Sequence, residues 1–365
     1  MRRLAGIGLS IFSCLLCAPP ALADPPPTGL YETSFDATTP LADIGEVFKR
    51  MLHPMEYAER MAEYHSPTGQ VIDPSQEHWQ VYVPEGYDGS RPYGVLVWID
   101  PWDGSHFPTS WRGALKEHRL IYVSAAKSGN DESVPFRRVP LALTGLANIR
   151  KRYNVDPDRI YVGGFSGGGV TASVIAAGYA DVFTGGLFVG TSYGLGTDNV
   201  PVPPLVRYKM MQDRGRYAFL VGTEDPVNES MTNRASSSYH DLCVLRVRSL
   251  SMMNRGHTDV DARYFSSALN YLDSPPEISA AQQAECERQL QARRADAVAA
   301  VRTAMDSGDK DQAQARLVDL HREFGPLAEP EFDQFQDCLA GDQPMKMCVA
   351  TTPPRTEAGG GTWRY

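Results

Sequence analysis

The strongest constraint on this chain is an eleven-residue run, Ile160-Tyr161-Val162-Gly163-Gly164-Phe165-Ser166-Gly167-Gly168-Gly169-Val170. A run of β-branched and aromatic residues stops at a cluster of glycines, and a second apolar run, residues 170–177, has helical character. A chain passes from strand to helix in so few residues only through a sharp turn. Ser166 stands at the centre of that turn, inside a G-x-S-x-G pattern. A side chain at the flanking glycines would clash with the strand or the helix. The turn presents the serine hydroxyl, and the free N–H groups of the new helix face the place where an attacked carbonyl develops negative charge.

The surrounding sequence sets the turn in a regular alternation. Residues 94–99 and 120–125 are continuous apolar runs, the pattern of strands buried on both faces. Residues 186–190, 217–221 and 244–247 read as further strands, the last closing the sheet. Helical patterns fall at 110–119, 139–153 and 263–272, and a shorter one at 41–51. Residues 69–73 and 79–83 read as an extended pair. The alternation over residues 76–273 predicts an α/β domain, a mostly parallel sheet with helices on both faces, whose ligands sit at the carboxyl ends of the strands. Beyond Ser274-Pro275-Pro276 the composition changes. A capping box at Ser279 and Gln282 opens an Ala- and Arg-rich helix to Met305. Asp306-Ser307-Gly308 breaks it, and residues 311–324 form a second helix. Residues 274–350 are therefore read as a C-terminal helical hairpin segment, and 351–365 as a loose tail.

The N-terminus carries Arg2 and Arg3, an apolar stretch over 4–18 and an Ala21-Leu22-Ala23 cleavage site. This is the order of a secretory signal, residues 1–23. Leu16 before Cys17 does not suit lipid attachment. The exported chain then begins at Asp24, with residues 24–75 as an N-terminal extension, and is expected in the periplasm or outside the cell with no stable membrane insertion. Its cysteines are Cys243, Cys286, Cys338 and Cys348, an even set suited to an oxidising compartment. Cys338 and Cys348 are near neighbours in a Pro- and Gly-containing stretch and are the favoured pair, which leaves Cys243 for Cys286. A net charge of −9 argues against nucleic acid or an anionic membrane as partner.

A serine hydroxyl needs a base, and the base needs an orienting carboxylate. The chain supplies both after strand ends, in the order serine, acid, histidine. Asp225 follows the 217–221 run and is the preferred acid, with Glu224 as its rival and Asp241 a more distant candidate. His257 follows Gly256 after the last strand. Two backbone donors are needed for an oxyanion. Gly167 supplies one, next after the serine. The other is expected in the loop Asp100-Pro101-Trp102-Asp103-Gly104. Pro101 has no N–H, and Trp102 is assigned because it stands in register with the residue that follows the common His-Gly of such loops. Trp102, Phe107 and Tyr193 are candidates for an acyl pocket, with a core role equally open. His240 is read as a helix-end residue and His321 as structural. With no C-x-x-C and no nearby histidine pattern, a metal site at the cysteines is not favoured.

Pro84-Glu85-Gly86-Tyr87, Arg91-Pro92-Tyr93, Asn154-Val155-Asp156-Pro157-Asp158-Arg159-Ile160-Tyr161-Val162 and Gly164-Phe165-Ser166-Gly167-Gly168 together resemble the polyhydroxybutyrate depolymerase and feruloyl/acetylxylan-esterase-like branch of secreted α/β-hydrolases. The likeness spans residues 76–273. It implies an α/β-hydrolase fold and a serine esterase that works through an acyl-enzyme, without metal or cofactor, on a small-molecule or polymeric ester. It carries the nucleophile to Ser166, the acid to Asp225 and the base to His257. Two features depart from the family. The 100–104 loop lacks the usual His-Gly, and the helical segment lies outside the family core, a candidate surface for a protein partner. A peptidase or acyltransferase on the same residues, or a non-catalytic hydrolase-fold binding protein, are the rival readings.

Overall fold

In the computed structural model, which describes residues 26–341, eight strands make one sheet. They are β1 (Gly29–Thr33), β2 (Trp79–Val83), β3 (Tyr93–Ile99), β4 (Leu120–Ala125), β5 (Val155–Phe165), β6 (Gly185–Val189), β7 (Arg216–Gly222) and β8 (Val247–Met252), in the order β1-β2-β4-β3-β5-β6-β7-β8. The β1–β2 and β2–β4 pairs are antiparallel and every other pair is parallel. This is an α/β-hydrolase fold, with the Ser166 turn leaving the middle of the sheet at the end of β5. The leader, Cys348 and tail expectations lie outside the described residues.

The helices are α1 (Ile44–Met51), α2 (Pro54–Glu63), α3 (Arg112–Glu117), α4 (Val139–Arg152), α5 (Gly167–Gly178), α6 (Leu205–Arg214), α7 (Pro226–Asp241), α8 (Ala262–Asp273), α9 (Ala280–Ser307), α10 (Lys310–Phe324) and α11 (Glu329–Ala340). Side-chain alternation along the strands decides which face each packs on. From β3, Val95, Val97 and Ile99 join a core with α1, α4, α5 and α7, while Leu96 and Trp98 join Trp111, Leu115, Phe265 and Leu269 beneath α3 and α8. Both faces of β3 and β4 are therefore apolar and buried. Each large side chain so placed stabilises by about 1.5–3 kcal/mol. The C-terminal helices extend the first of these cores through Val301, Leu317, Leu320 and Phe324, in the same cluster as Leu195 and Val202.

Several local expectations give way. The last strand is Val247–Met252, not 244–247. Val244 is buried beyond the end of α7, whereas β8 is an edge strand whose Arg248, Ser249 and Ser251 face solvent, so it carries no apolar run to reveal it. Residues 69–73 form no strand; Gln70 makes a single bridge to Asp43, and the partner of β2 is β1. The region after α10 is helical, so Cys338 lies in α11 rather than in a loop. Cys243 and Cys286 form a disulfide, with Cα atoms 5.7 Å apart, that joins the end of α7 to α9. His321 is buried and its Nδ1 lies 3.0 Å from Nε2 of His53, which precedes α2. His240 occupies the last turn of α7.

Candidate active site

The turn at Ser166 is as tight as its sequence requires. Ser166 has φ 53° and ψ −123°, a strained conformation for a residue with a Cβ. A Cβ at Gly164 would lie 2.4 Å from the Gly168 carbonyl carbon, and one at Gly168 would lie 1.9 Å from Ile99 O. Strand, helix and the end of β3 therefore meet at contact distance, and glycine alone fits. The Ser166 N–H donates to Val189 O at 2.8 Å, pinning the turn to β6.

His257 reaches the serine from the loop after β8. Its Nε2 lies 2.9 Å from Ser166 Oγ, and its Nδ1 lies 2.7 Å from Asp225 Oδ2. A carboxylate only accepts, so Nδ1 is the protonated nitrogen and Nε2 is left to accept the serine proton. The imidazole packs on Phe165, with ring centroids 5.0 Å apart. The Asp225 side chain is 11% exposed and that of His257 38%, so the acid is sheltered while the base opens to solvent. Asp225 is also the N-cap of α7. Of the rival acids, Asp241 faces Arg293 at 3.5 Å, and Glu224 is held through its N–H to Arg255 O.

Sequence reasoning missed Asn228. Its Nδ2 donates to both oxygens of Asp225 at 2.9 Å and lies 3.2 Å from His257 Nδ1. The two carboxylate contacts fix which end of the amide points there. The signal was present in the sequence: an N-cap aspartate with an amide residue three positions on is a capping pair.

The opposite side of the site is made of backbone. Among the described residues the N–H groups of Gly167 and Trp102 have no hydrogen-bond partner. The carbonyl of Pro101 accepts from Asn130 N at 3.0 Å, which turns the following Trp102 N–H to the far side of its trans peptide. A Cβ on Gly167 would fall 2.0 Å from Asn130 Oδ1, so the Asn130 amide fills the space a side chain at 167 would take. Asp100, at the head of this loop, is 1% exposed. Its carboxylate accepts from Trp98 Nε1 (3.0 Å), Ser124 Oγ (3.2 Å) and the His106 N–H (3.1 Å). Burial raises its proton affinity despite those donors. Asp259, two residues past His257, is pushed up to about 7, by burial first and then by Asp100, against the pull of the Val260 N–H.

Of the aromatic candidates, Trp102 is 53% exposed, with its ring 5.8 Å from that of Phe165. Phe107 is a core residue instead, buried against Tyr82 and Tyr122. Tyr193 is half-buried, its N–H bonded to Ser173 Oγ. Among the described residues no three His, Cys, Asp or Glu side chains converge on a common point, and no helix is long and apolar enough to cross a membrane.

No family model and no curated protein matches the chain. Solved structures similar to it include hydrolases. The poly(3-hydroxybutyrate) depolymerase of Bordetella parapertussis is 18% identical over 57% of this chain and 88% of that one, with a TM-score of 0.39. The S-formylglutathione hydrolase of Staphylococcus aureus is 11% identical over 68% and 100%, with a TM-score of 0.43. The match to a thermostable esterase, 18% identical with a TM-score of 0.35, takes in 49% of this chain and about half, 51%, of that one. At these identities and scores none of the three transfers an activity to this chain.

Proposed function

We propose that the chain is an exported serine hydrolase that cleaves carboxylic esters through Ser166, His257 and Asp225. The observation that carries this reading is His257 itself, 2.9 Å from Ser166 Oγ on one side and 2.7 Å from Asp225 Oδ2 on the other. A base within hydrogen-bond reach of the nucleophile and of its orienting acid is the arrangement that serine chemistry requires.

In the proposed cycle Ser166 Oγ attacks the ester carbonyl carbon while His257 Nε2 takes the hydroxyl proton. Asp225, held by Asn228, keeps the ring oriented and stabilises the imidazolium. The carbonyl oxygen becomes an oxyanion and accepts from the Gly167 and Trp102 N–H groups. Collapse of the tetrahedral adduct breaks the carbon–oxygen bond to the alcohol, which leaves with the proton returned from His257. Water then attacks the acyl-enzyme by the same route. The acid is released and the Ser166 hydroxyl restored. The disulfide at Cys243 and Cys286 accords with export.

An alkyl fluorophosphonate probe tests the assignment. It should label the wild-type chain and leave Ser166→Ala unlabelled, and wild type should release alcohol from short-chain p-nitrophenyl esters. Equal labelling of both forms would remove Ser166 from the reaction.

A further inference from the structure

A buried cation beside the Ser166 turn has no part in the cycle above. Arg138 closes a π-helical turn, Val134–Arg138, that leads into α4. Single π turns of this kind recur at functional sites. Here the turn swings the side chain inward, where it is 3% exposed. The guanidinium donates to three backbone carbonyls: Ser128 O at 2.8 Å, Asp100 O at 3.1 Å and Gly167 O at 3.2 Å. These carbonyls follow β4, β3 and β5, three neighbouring strands at the centre of the sheet.

Two points separate Arg138 from an ordinary structural arginine. The first is charge. Among the described residues no carboxylate lies within ion-pair distance of it, and the acid that acts on it, Asp100, is engaged by Trp98, Ser124 and His106. Burial pulls the guanidinium down to about 10, which still leaves it cationic at neutral pH. Removing a charge from water without a bonded counter-ion is strongly unfavourable, and neutral donors would tie the same carbonyls without that penalty. The second is position. The Gly167 carbonyl belongs to the peptide after the one that carries the Gly167 N–H. The Asp100 carbonyl belongs to the peptide before the one that carries the Trp102 N–H. One guanidinium therefore grips the peptide adjoining each of the two amides assigned to the oxyanion.

We propose that Arg138 is a positioning residue for the oxyanion, locking the Gly167 and Trp102 amides in register and supplying fixed positive charge behind them. The proposal rests on the serine-hydrolase reading and adds to it a group that touches no substrate atom. Fixed charge of this kind acts where negative charge develops, so it favours the tetrahedral adduct over the bound ester.

The test compares Arg138→Gln and Arg138→Lys with the wild-type full chain. The measurements are kcat and KM on a p-nitrophenyl ester, affinity for an alkyl trifluoromethyl ketone, which forms an anionic tetrahedral adduct on a serine, and the thermal midpoint. Arg138→Gln should lower kcat by about 10- to 100-fold, less than the roughly 100- to 1000-fold cost of losing an oxyanion donor outright because Arg138 acts through the peptides, with KM changed by less than ~2-fold. It should weaken the ketone by a similar factor, and Arg138→Lys should recover part of both. If Arg138→Gln does not fold, Arg138→Lys carries the same comparison, with a smaller, matched loss in kcat and ketone affinity. A folded variant with unchanged kcat and ketone affinity would overturn the proposal, as would losses in kcat and KM that track the thermal midpoint alone. Wild-type chain that the fluorophosphonate fails to label overturns the serine-hydrolase reading and this proposal with it. Labelled wild type with unaffected Arg138 variants overturns this proposal alone.

Discussion

The two sides of the Ser166 site are made of different material. On one side Asp225, Asn228 and His257 bring side-chain atoms together from the loops after β7 and β8. On the other, Gly167 and Trp102 offer only main-chain N–H groups. Their placement depends on the Pro101 carbonyl, on Asn130, on Asp100 and on a guanidinium more than twenty-five residues away in sequence. Proton transfer needs groups with particular acidities, so its residues can be named by type. Oxyanion binding needs only correctly aimed peptides, so almost any residue type serves and the specification moves to whatever aims them.

Three substitutions probe that contrast, the most damaging first. Asp225→Asn keeps the shape of the side-chain half but lets the amide favour the wrong imidazole tautomer. Ester turnover should fall by about 10³- to 10⁴-fold with little change in thermal midpoint. Loss of less than ~10-fold would mean that Asp225 does not orient His257 and that the acid of the side-chain half lies elsewhere.

Asn228→Asp sharpens the same half. A second carboxylate near Nδ1 favours the protonated imidazolium, in which Nε2 cannot accept the serine proton. The acidic limb of the kcat/KM profile should therefore move up by about one pH unit, with a roughly tenfold loss at pH 6 and a smaller one at pH 9. A uniform loss at every pH would reduce Asn228 to a helix cap.

The smallest effect lies where the halves meet, because Asp259 follows the base and Asp100 opens the backbone loop. Folding raises the Asp259 carboxyl from its ordinary 3.8 to about 7. Between those values the folded chain holds a proton that the unfolded chain has lost, so stability falls as pH rises through that window. Asp259→Asn removes the titration. It should be more stable than wild type by about 1–2 kcal/mol at pH 8 and show no such advantage at pH 4, by denaturant titration. An identical gain at both pH values would mean that repulsion and burial of the charge at Asp259 are not the cause.

The same contrast governs what the sequence made readable. β3, β4, β6 and β7 are buried on both faces, and continuous apolar runs announced them. β8 faces solvent along much of its length and alternates serine with larger residues, so the run at 244–247 was a decoy. β1 was missed because its residues alternate in burial at the margin of the sheet and its partner β2 lies almost fifty residues on. Within the site, Ser166, Asp225 and His257 were legible because residue type, order and position after a strand agree. Trp102 followed from the absent N–H of Pro101 and from its own register with the residue that follows His-Gly in the family. Nothing local to Arg138 or Asn130 marks either one; each acts on a peptide that comes close only after three strands have paired. Phe107 illustrates the converse, an aromatic beside the site in sequence that the second core absorbs.

The Cys243–Cys286 bond encloses β8, the loop bearing His257 and all of α8 within a 43-residue separation. Closing a loop of that size stabilises a fold by about 4 kcal/mol in the chain-entropy view, but it has a second effect that concerns survival. The segment between α8 and α9 is a Ser-Pro-Pro connection outside regular structure, open to any protease that the proposed export would bring the chain to meet. A peptide bond hydrolysed there, or anywhere else between the two cysteines, leaves both fragments covalently linked. A chain nicked in that segment would thus remain one molecule, dividing only when a reductant opens the bridge.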